Sequence, residues 1–304
     1  MGRLRSRCSS RARHRRGFVF EQTFGVWNLE RRVKQQIWSA ALCVLMIGCG
    51  EANEPAPRTD RAPRPDFSGM WSDPPATAVD DFCFMTCTDE GIARLNALLD
   101  DPANDSRPYQ ELSREAARYQ REDYIRPRLM PEAAKAFPLD PADDPGFLRC
   151  EPWGFARQIF APHQMEVRQN DARIEIRYAE WDGRRTIYMD DRSRPASQPA
   201  SPMGYSVGRY EGDALVVETS AVTANLLGIF PAWFKHGDQL RAVERYTRTA
   251  DGSRLEVTVT MEDPQNLRQP LQFRKAWGWA PDEQIFPYTN CERPTEFKKE
   301  GNEP

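Results

Sequence analysis

Histidine is scarce in this chain, with three among 304 residues. Past the N-terminal 48 residues only His163 and His236 remain. Neither has zinc-motif spacing with Cys83 or Cys87, which argues against a metal centre. No apolar run approaches the roughly 20 residues needed to cross a bilayer as a helix. Gly-rich phosphate loops, internal repeats, coiled-coil heptads, a nucleophile elbow and zinc-protease motifs are all missing from the sequence. Their absence removes the phosphate-binding, solenoid and familiar hydrolase classes, and leaves no motif that implies a cofactor.

Positive charge is also scarce where a nucleic acid would need it. Residues 1–48 hold ten Arg and Lys against Glu21 and Glu30, a net of +8. The whole chain is at −3, so the remainder is at about −11. An acidic body of this kind is not built to neutralise phosphates, and no nucleic-acid partner is expected.

The longest apolar run, Ile37 to Gly48, has the length of a signal-peptide core, with Arg31, Arg32 and Lys34 as its basic flank. It ends Met46-Ile47-Gly48-Cys49, which resembles the bacterial lipobox, with Met in place of the usual first Leu. The resemblance implies lipidation at Cys49, a mature chain beginning there, and a lipid-anchored protein of the cell envelope facing the periplasm. Gly50 rather than Asp after that cysteine is compatible with outer-membrane sorting. Residues 1–48 thus read as leader and lipoprotein signal peptide, with 1–32 either a gene-model artefact, Val33 being an alternative start, or a cationic arm. Residues 49–65 are polar and Pro-rich, a tether. A single domain is expected over 66–297, followed by a disordered tail over 298–304.

Four cysteines remain in the mature domain: Cys83, Cys87, Cys150 and Cys291. An even number in an oxidising compartment reads as two disulfides, Cys83–Cys87 and Cys150–Cys291 being preferred among three connectivities. From about Asp89 to Phe137, GIARLNALL, LSREAARY and PEAAKAF place apolar residues at helical spacing, with Pro131 suited to a first turn. From about Phe155 the pattern turns to period two, with hairpin signals at Asp182-Gly183 and Asp251-Gly252, and weaker ones at Glu211-Gly212 and Asn170-Asp171. The expected fold is mainly β: an antiparallel, lipocalin-like β-barrel of about ten short strands with a helical insertion near its N-terminus.

Gly69-x-Trp71 on the first strand resembles the Gly-x-Trp opening of lipocalin-like barrels. A broader pattern resembles an uncharacterised family of secreted bacterial proteins. It runs through Asp66-Phe67-Ser68-Gly69-Met70-Trp71, Cys150-Glu151-Pro152-x-Gly154, and Arg185-x-Ile187-Tyr188-Met189-Asp190. The block from Gly204 to Val217 (GYSVGRYEGDALVV) follows, then His236-x-Asp238, Glu244-Arg245, Asp263-Pro264 and Cys291-Glu292. That resemblance implies a β-rich exported domain and no particular activity.

A two-residue turn at Asp182-Gly183 pairs Glu180 with Arg185, Tyr178 with Ile187 and Ile176 with Met189, placing a carboxylate and a guanidinium on an apolar face. The turn at Asp251-Gly252 pairs Glu244 with Val259, Tyr246 with Val257 and Ala242 with Met261, again turning a carboxylate inward. Inward charges are costly unless paired, and they concentrate at functional sites. The loop before His236, holding Trp233 and Phe234, reads as an apolar lid over the barrel mouth. Two functions follow. One is a barrel that binds a small apolar or aromatic molecule in its interior, with Arg185, Tyr178, Tyr246, Trp233 and Phe234 as contacts. The other is a cofactor-independent lyase, isomerase or hydratase, with Glu244, His236 and Glu180 as candidate acid–base groups. A solid envelope scaffold is the third and plainest possibility. The lipid anchor has a direct check: Cys49→Ser is expected to abolish metabolic labelling by a fatty acid and to release the protein from membranes, and label persisting in that variant would refute the anchor.

Overall fold

The computed structural model describes residues 64–74, 77–139, 152–189, 194–229 and 232–287. Cys49, Cys150, Cys291, the leader, most of the tether and the C-terminal tail lie outside them. Nine strands close into a barrel: β1 (Gly69–Ser72), β2 (Met165–Gln169), β3 (Arg173–Tyr178), β4 (Arg184–Tyr188), β5 (Tyr205–Glu211), β6 (Ala214–Ser220), β9 (Arg241–Arg248), β10 (Arg254–Glu262) and β11 (Leu271–Trp279). Their order is β1-β11-β10-β9-β6-β5-β4-β3-β2, with β2 returning to β1. Two further strands, β7 (Asn225–Ile229) and β8 (Ala232–His236), form a separate hairpin. The apolar segment read from sequence as a lid loop is this hairpin.

The barrel is mixed rather than wholly antiparallel. Strand β5 runs parallel to β4, through the pairs Ile187–Ser206 and Tyr188–Val207 only. Short-range turn signals could not show this, because the chain between β4 and β5 is a long crossover and not a hairpin. Elsewhere period-two alternation does what it predicts. Strand β10 alternates buried Leu255, Val257, Val259 and Met261 with outward residues, and β3 buries Ile174, Ile176 and Tyr178. Outward positions carry charge, as in Arg209–Glu218 at 2.6 Å and Arg245–Glu211 at 2.9 Å. That is unlike the apolar outer band of a membrane-spanning barrel.

The hairpin registers test the turn arithmetic. At Asp251-Gly252 it holds: Glu244 faces Val259, Tyr246 faces Val257 and Ala242 faces Met261. At Asp182-Gly183 it fails by four positions, since Arg185 faces Ile176 and Ile187 faces Ile174. The bend is a wider loop over 179–182, in which Trp181 and Asp182 take left-handed φ values of 59° and 50°. The shift is even, so every side chain stays on its expected face while its partner changes.

The helical insertion lies between β1 and β2, as expected, but starts earlier than Asp89. It begins with α1 (Ala78–Phe82), capped by Thr77, whose hydroxyl accepts from Asp80 N. After α1 comes the Cys83–Cys87 disulfide. Then follow α2 (Asp89–Leu99), α3 (Tyr109–Tyr119), a π-helical turn over Gln120–Ile125 and α4 (Pro131–Lys135), which has Pro131 in its first turn. Cys87 exchanges backbone hydrogen bonds with Arg274 of β11, so the disulfide loop sits on the sheet edge.

A short helix, α5 (Phe155–Gln158), precedes β2, and residues 154–162 are almost entirely withdrawn from solvent. Phe155, Ile159 and Phe160 join one continuous core with Trp71, Tyr178, Tyr246, Phe273 and Trp277. The helix fits because its neighbours are small: a Cβ on Gly183 would lie 2.8 Å from the Gln158 side chain, and one on Gly228 would lie 2.8 Å from Arg157. The Gly-x-Trp opening has a similar cause. Gly69 has φ +125°, and a Cβ there would collide with the Trp279 ring, which packs edge-on at 5.0 Å against Trp71.

Candidate functional site

Strands β4, β5, β6 and β9 each turn one polar side chain into the barrel, and the four meet. Arg185 grips Glu244 with two parallel bonds, Nη1 to Oε2 at 2.7 Å and Nη2 to Oε1 at 2.6 Å. Its Nε and Nη2 also donate to Ser206 Oγ at 3.1 and 3.0 Å, and Nη2 donates to Thr219 Oγ1 at 2.7 Å. Glu244 further accepts from Tyr246 Oη at 2.7 Å and from Thr219 Oγ1 at 3.1 Å. Both charged groups are buried, 1% and 0% exposed in their side chains. Fork-to-fork geometry with every carboxylate oxygen doubly satisfied is what a buried pair requires to survive desolvation. Burial, and then the charge of Glu244, push the Tyr246 phenol well above its ordinary range, so it stays a hydrogen-bond donor. Tyr178, with its pKa pushed up to about 12 by burial, lies beside the pair, and its hydroxyl has no hydrogen-bond partner among the described residues.

The sequence expectation of a Glu180–Arg185 pair is corrected here. The wider β3–β4 loop carries Glu180 beyond the end of the strand, and Arg185 finds Glu244 instead. Glu180 accepts from His163 N at 3.1 Å and from His163 Nδ1, while its Oε2 is buried without a partner among the described residues. The guanidinium of Arg185 is roofed by the Phe155 ring at 4.8 Å, so the protein's own helix α5 occupies the place expected for a ligand.

The three candidate acid–base groups therefore lie in three places. Glu244 is locked in the interior pair, and Glu180 holds His163. His236, at the end of β8, donates from Nδ1 to Gly237 O at 2.9 Å, and its buried Nε2 has no partner among the described residues. Burial lowers its pKa. Of the expected ligand contacts, Arg185, Tyr178 and Tyr246 come together. Trp233 and Phe234 lie on β8 instead, where Trp233 stacks on Arg157 at 4.8 Å and Phe234 packs on Phe137.

A second polar cluster, which the motif search missed, sits where β1 leaves the barrel. β1 pairs with β11 only at Trp279 and Gly278, and Cys87 takes over at Arg274. Among the described residues no strand lies on this side of Lys275–Trp277. A cavity of about 320 Å³ opens along this seam between α1 and strands β10 and β11. Val79, Phe84 and Ile92 give it apolar wall, and Asp73, Arg254 and Lys275 give it polar wall.

Lys275 is the unusual member. It is 3% exposed and donates to Phe84 O, within the disulfide loop, with the Phe84 and Trp277 rings at 5.6 and 5.7 Å. Among the described residues it has no other acceptor and no carboxylate at ion-pair distance. Burial lowers its pKa to about 8, against the attraction of Asp73 and Glu180. Asp73 is itself raised by burial, partly offset by Lys275 and His163. The other cations of the cavity wall are already committed, Arg254 to Asp80 and Arg274 to Asp89.

No known family model matches this chain, and no curated protein matches it. The fold and the two clusters define a closed, mixed nine-stranded barrel with an internal plug helix and, at its seam, a cavity of mixed apolar and charged lining.

Two measurements check these assignments. Arg185→Leu strands Glu244 in the core and is expected to cost about 3–5 kcal/mol in denaturant unfolding, while Arg185→Leu with Glu244→Leu recovers most of that loss. Equal destabilisation by the single and double variants would contradict the pairing. For Lys275 the sign is opposite. A folded pKa of about 8 against 10.5 in the unfolded chain means that stability is present above pH 10.5 and lost as pH falls through 8. Lys275→Met is thus expected to raise stability at pH 7 by up to about 3 kcal/mol, a gain that narrows between pH 8 and 10.5. A destabilised Lys275→Met would refute the buried, unpaired ammonium.

Proposed function

We propose that this protein is an exported, lipid-anchored barrel of the cell envelope that binds a small, largely apolar molecule, and that the ligand sits in the seam cavity rather than in the barrel interior. The observation that carries this reading is the cavity itself: about 320 Å³, walled by Val79, Phe84 and Ile92, with the buried Lys275 among its lining residues and its ammonium on the carbonyl of another, Phe84. Concave, mostly apolar sites with a few placed polar groups are the ordinary form of small-molecule sites. Displacement of the site from the interior follows from α5, whose Phe155 already covers Arg185. An unpaired buried cation is poor scaffold design, which weighs against a purely structural role.

Catalysis is less well supported, because Glu244, Glu180 and His236 are each committed to a different partner and neither member of the best-formed charge pair lines the cavity. The test is native mass spectrometry of the full exported chain released gently from membranes. A bound small molecule is expected on the wild type and absent from Val79→Trp, which fills the cavity without altering Lys275. An adduct that survives Val79→Trp would place the ligand elsewhere, and the reading would fall.

A further inference from the structure

We infer that the seam cavity takes a small monocarboxylic acid, its carboxylate accepting hydrogen bonds from the N–H groups of Lys275 that the protein leaves unused and its apolar body lying on Val79, Phe84 and Ile92. The inference rests on the reading of that cavity as the ligand site and adds the chemistry of the ligand. An ammonium carries three donors, and Phe84 O takes one. A neutral carbonyl would satisfy another donor but not the charge, and a buried charge is tolerated only when it is balanced.

The carboxylates around it do not serve. Asp80 is tied to Arg254 and to its own cap at Thr77, and Glu180 is turned to His163. Asp73, on the cavity wall, does not reach ion-pair distance.

The same inventory sets the ligand's charge. Arg254 and Arg274 are neutralised by Asp80 and Asp89, so Lys275 is the one uncommitted cation of the wall among the described residues. Asp73, Asp81 and Glu256 also line the cavity, and a dianion such as a phosphate monoester would meet their repulsion with only one positive charge in return. A single negative charge at Nζ matches the Lys275 ammonium itself, and the carboxylates already on the wall weigh against any second one. The apolar wall of Val79, Phe84 and Ile92 favours an acid with a flat or chain-like body over a heavily hydroxylated one.

The experiment titrates 3-phenylpropanoic acid and its neutral primary amide, 3-phenylpropanamide, calorimetrically into the full chain. Wild type, Lys275→Met, Lys275→Gln and Val79→Trp are compared, each first checked for its fold by circular dichroism. The acid is expected to bind wild type at least tenfold more tightly than the amide. Both Lys275 variants should bring the acid down to the amide's affinity, and Val79→Trp should abolish both. Equal binding of acid and amide, still sensitive to Val79→Trp, would overturn the carboxylate while leaving the cavity as a ligand site. Acid binding unchanged in both Lys275 variants would overturn the assignment to Lys275. No binding of either compound to wild type, together with no Val79-dependent adduct by mass spectrometry, would overturn both readings.

Discussion

The bidentate pair between Arg185 and Glu244 is the constraint on which the barrel depends. Strands β4 and β9 are not neighbours, since β5 and β6 lie between them, and each of those strands adds a hydroxyl to the pair, Ser206 and Thr219. One guanidinium therefore ties four consecutive strands from the inside. This matters most at the β4–β5 junction, where parallel pairing extends over only two residue pairs. A one-residue slip at that short junction would turn Ser206 outward and leave Arg185 without its hydroxyl. The ion pair thus contributes register where the backbone ladder is least able to supply it, a use of buried charge better attested than raw stability.

Two of the buried cations, Arg185 and Lys275, have opposite situations. Arg185 has its counter-ion, two hydroxyl acceptors and an aromatic roof, all provided by the fold. Lys275 has one carbonyl oxygen and two rings. Both stand on inward positions of regular strands, so alternation alone treats them alike. Arginine's rigid fork suits a closed network, and lysine's three rotatable donors suit a site whose last partner comes from outside. The disulfide enters here too, because Phe84, whose carbonyl holds Lys275, lies inside the Cys83–Cys87 ring.

Much of this architecture was legible in the residues. Alternation and turn signals gave a barrel with a helical insertion, and the Asp251-Gly252 hairpin gave the inward side of Glu244 and Tyr246 with the right partners. Parity also placed Arg185 inward. Its partner was misassigned because a turn dipeptide marks where a chain bends without stating how many residues the bend contains. The parallel junction and the Arg185–Glu244 pair are long-range facts with no local signature. Helix α5 was hidden because FARQIFA is too short to show a helical period and is buried on all sides. Lys275 was within reach: Leu271, Phe273, Lys275 and Trp277 alternate as plainly as β10 does, and the parity that singled out Glu244 marks a lysine on an apolar face. A lone lysine resembles no acid–base motif, so strand parity is the signal that marks it.

The barrel is closed by its first and last strands, Trp71 meeting Trp279 across about two hundred residues of chain, a separation that makes closure the slowest contact to find. β1 also needs β2, which arrives only after the whole helical insertion. As the chain emerges from a ribosome, its opening strand has no partner until the insertion has passed, and the sheet has no seal until the final strand is free. The protein is therefore held open for as long as it is threading, with a bare β11 edge awaiting β1 and the disulfide loop. The topology thus forbids completion before the last strand arrives.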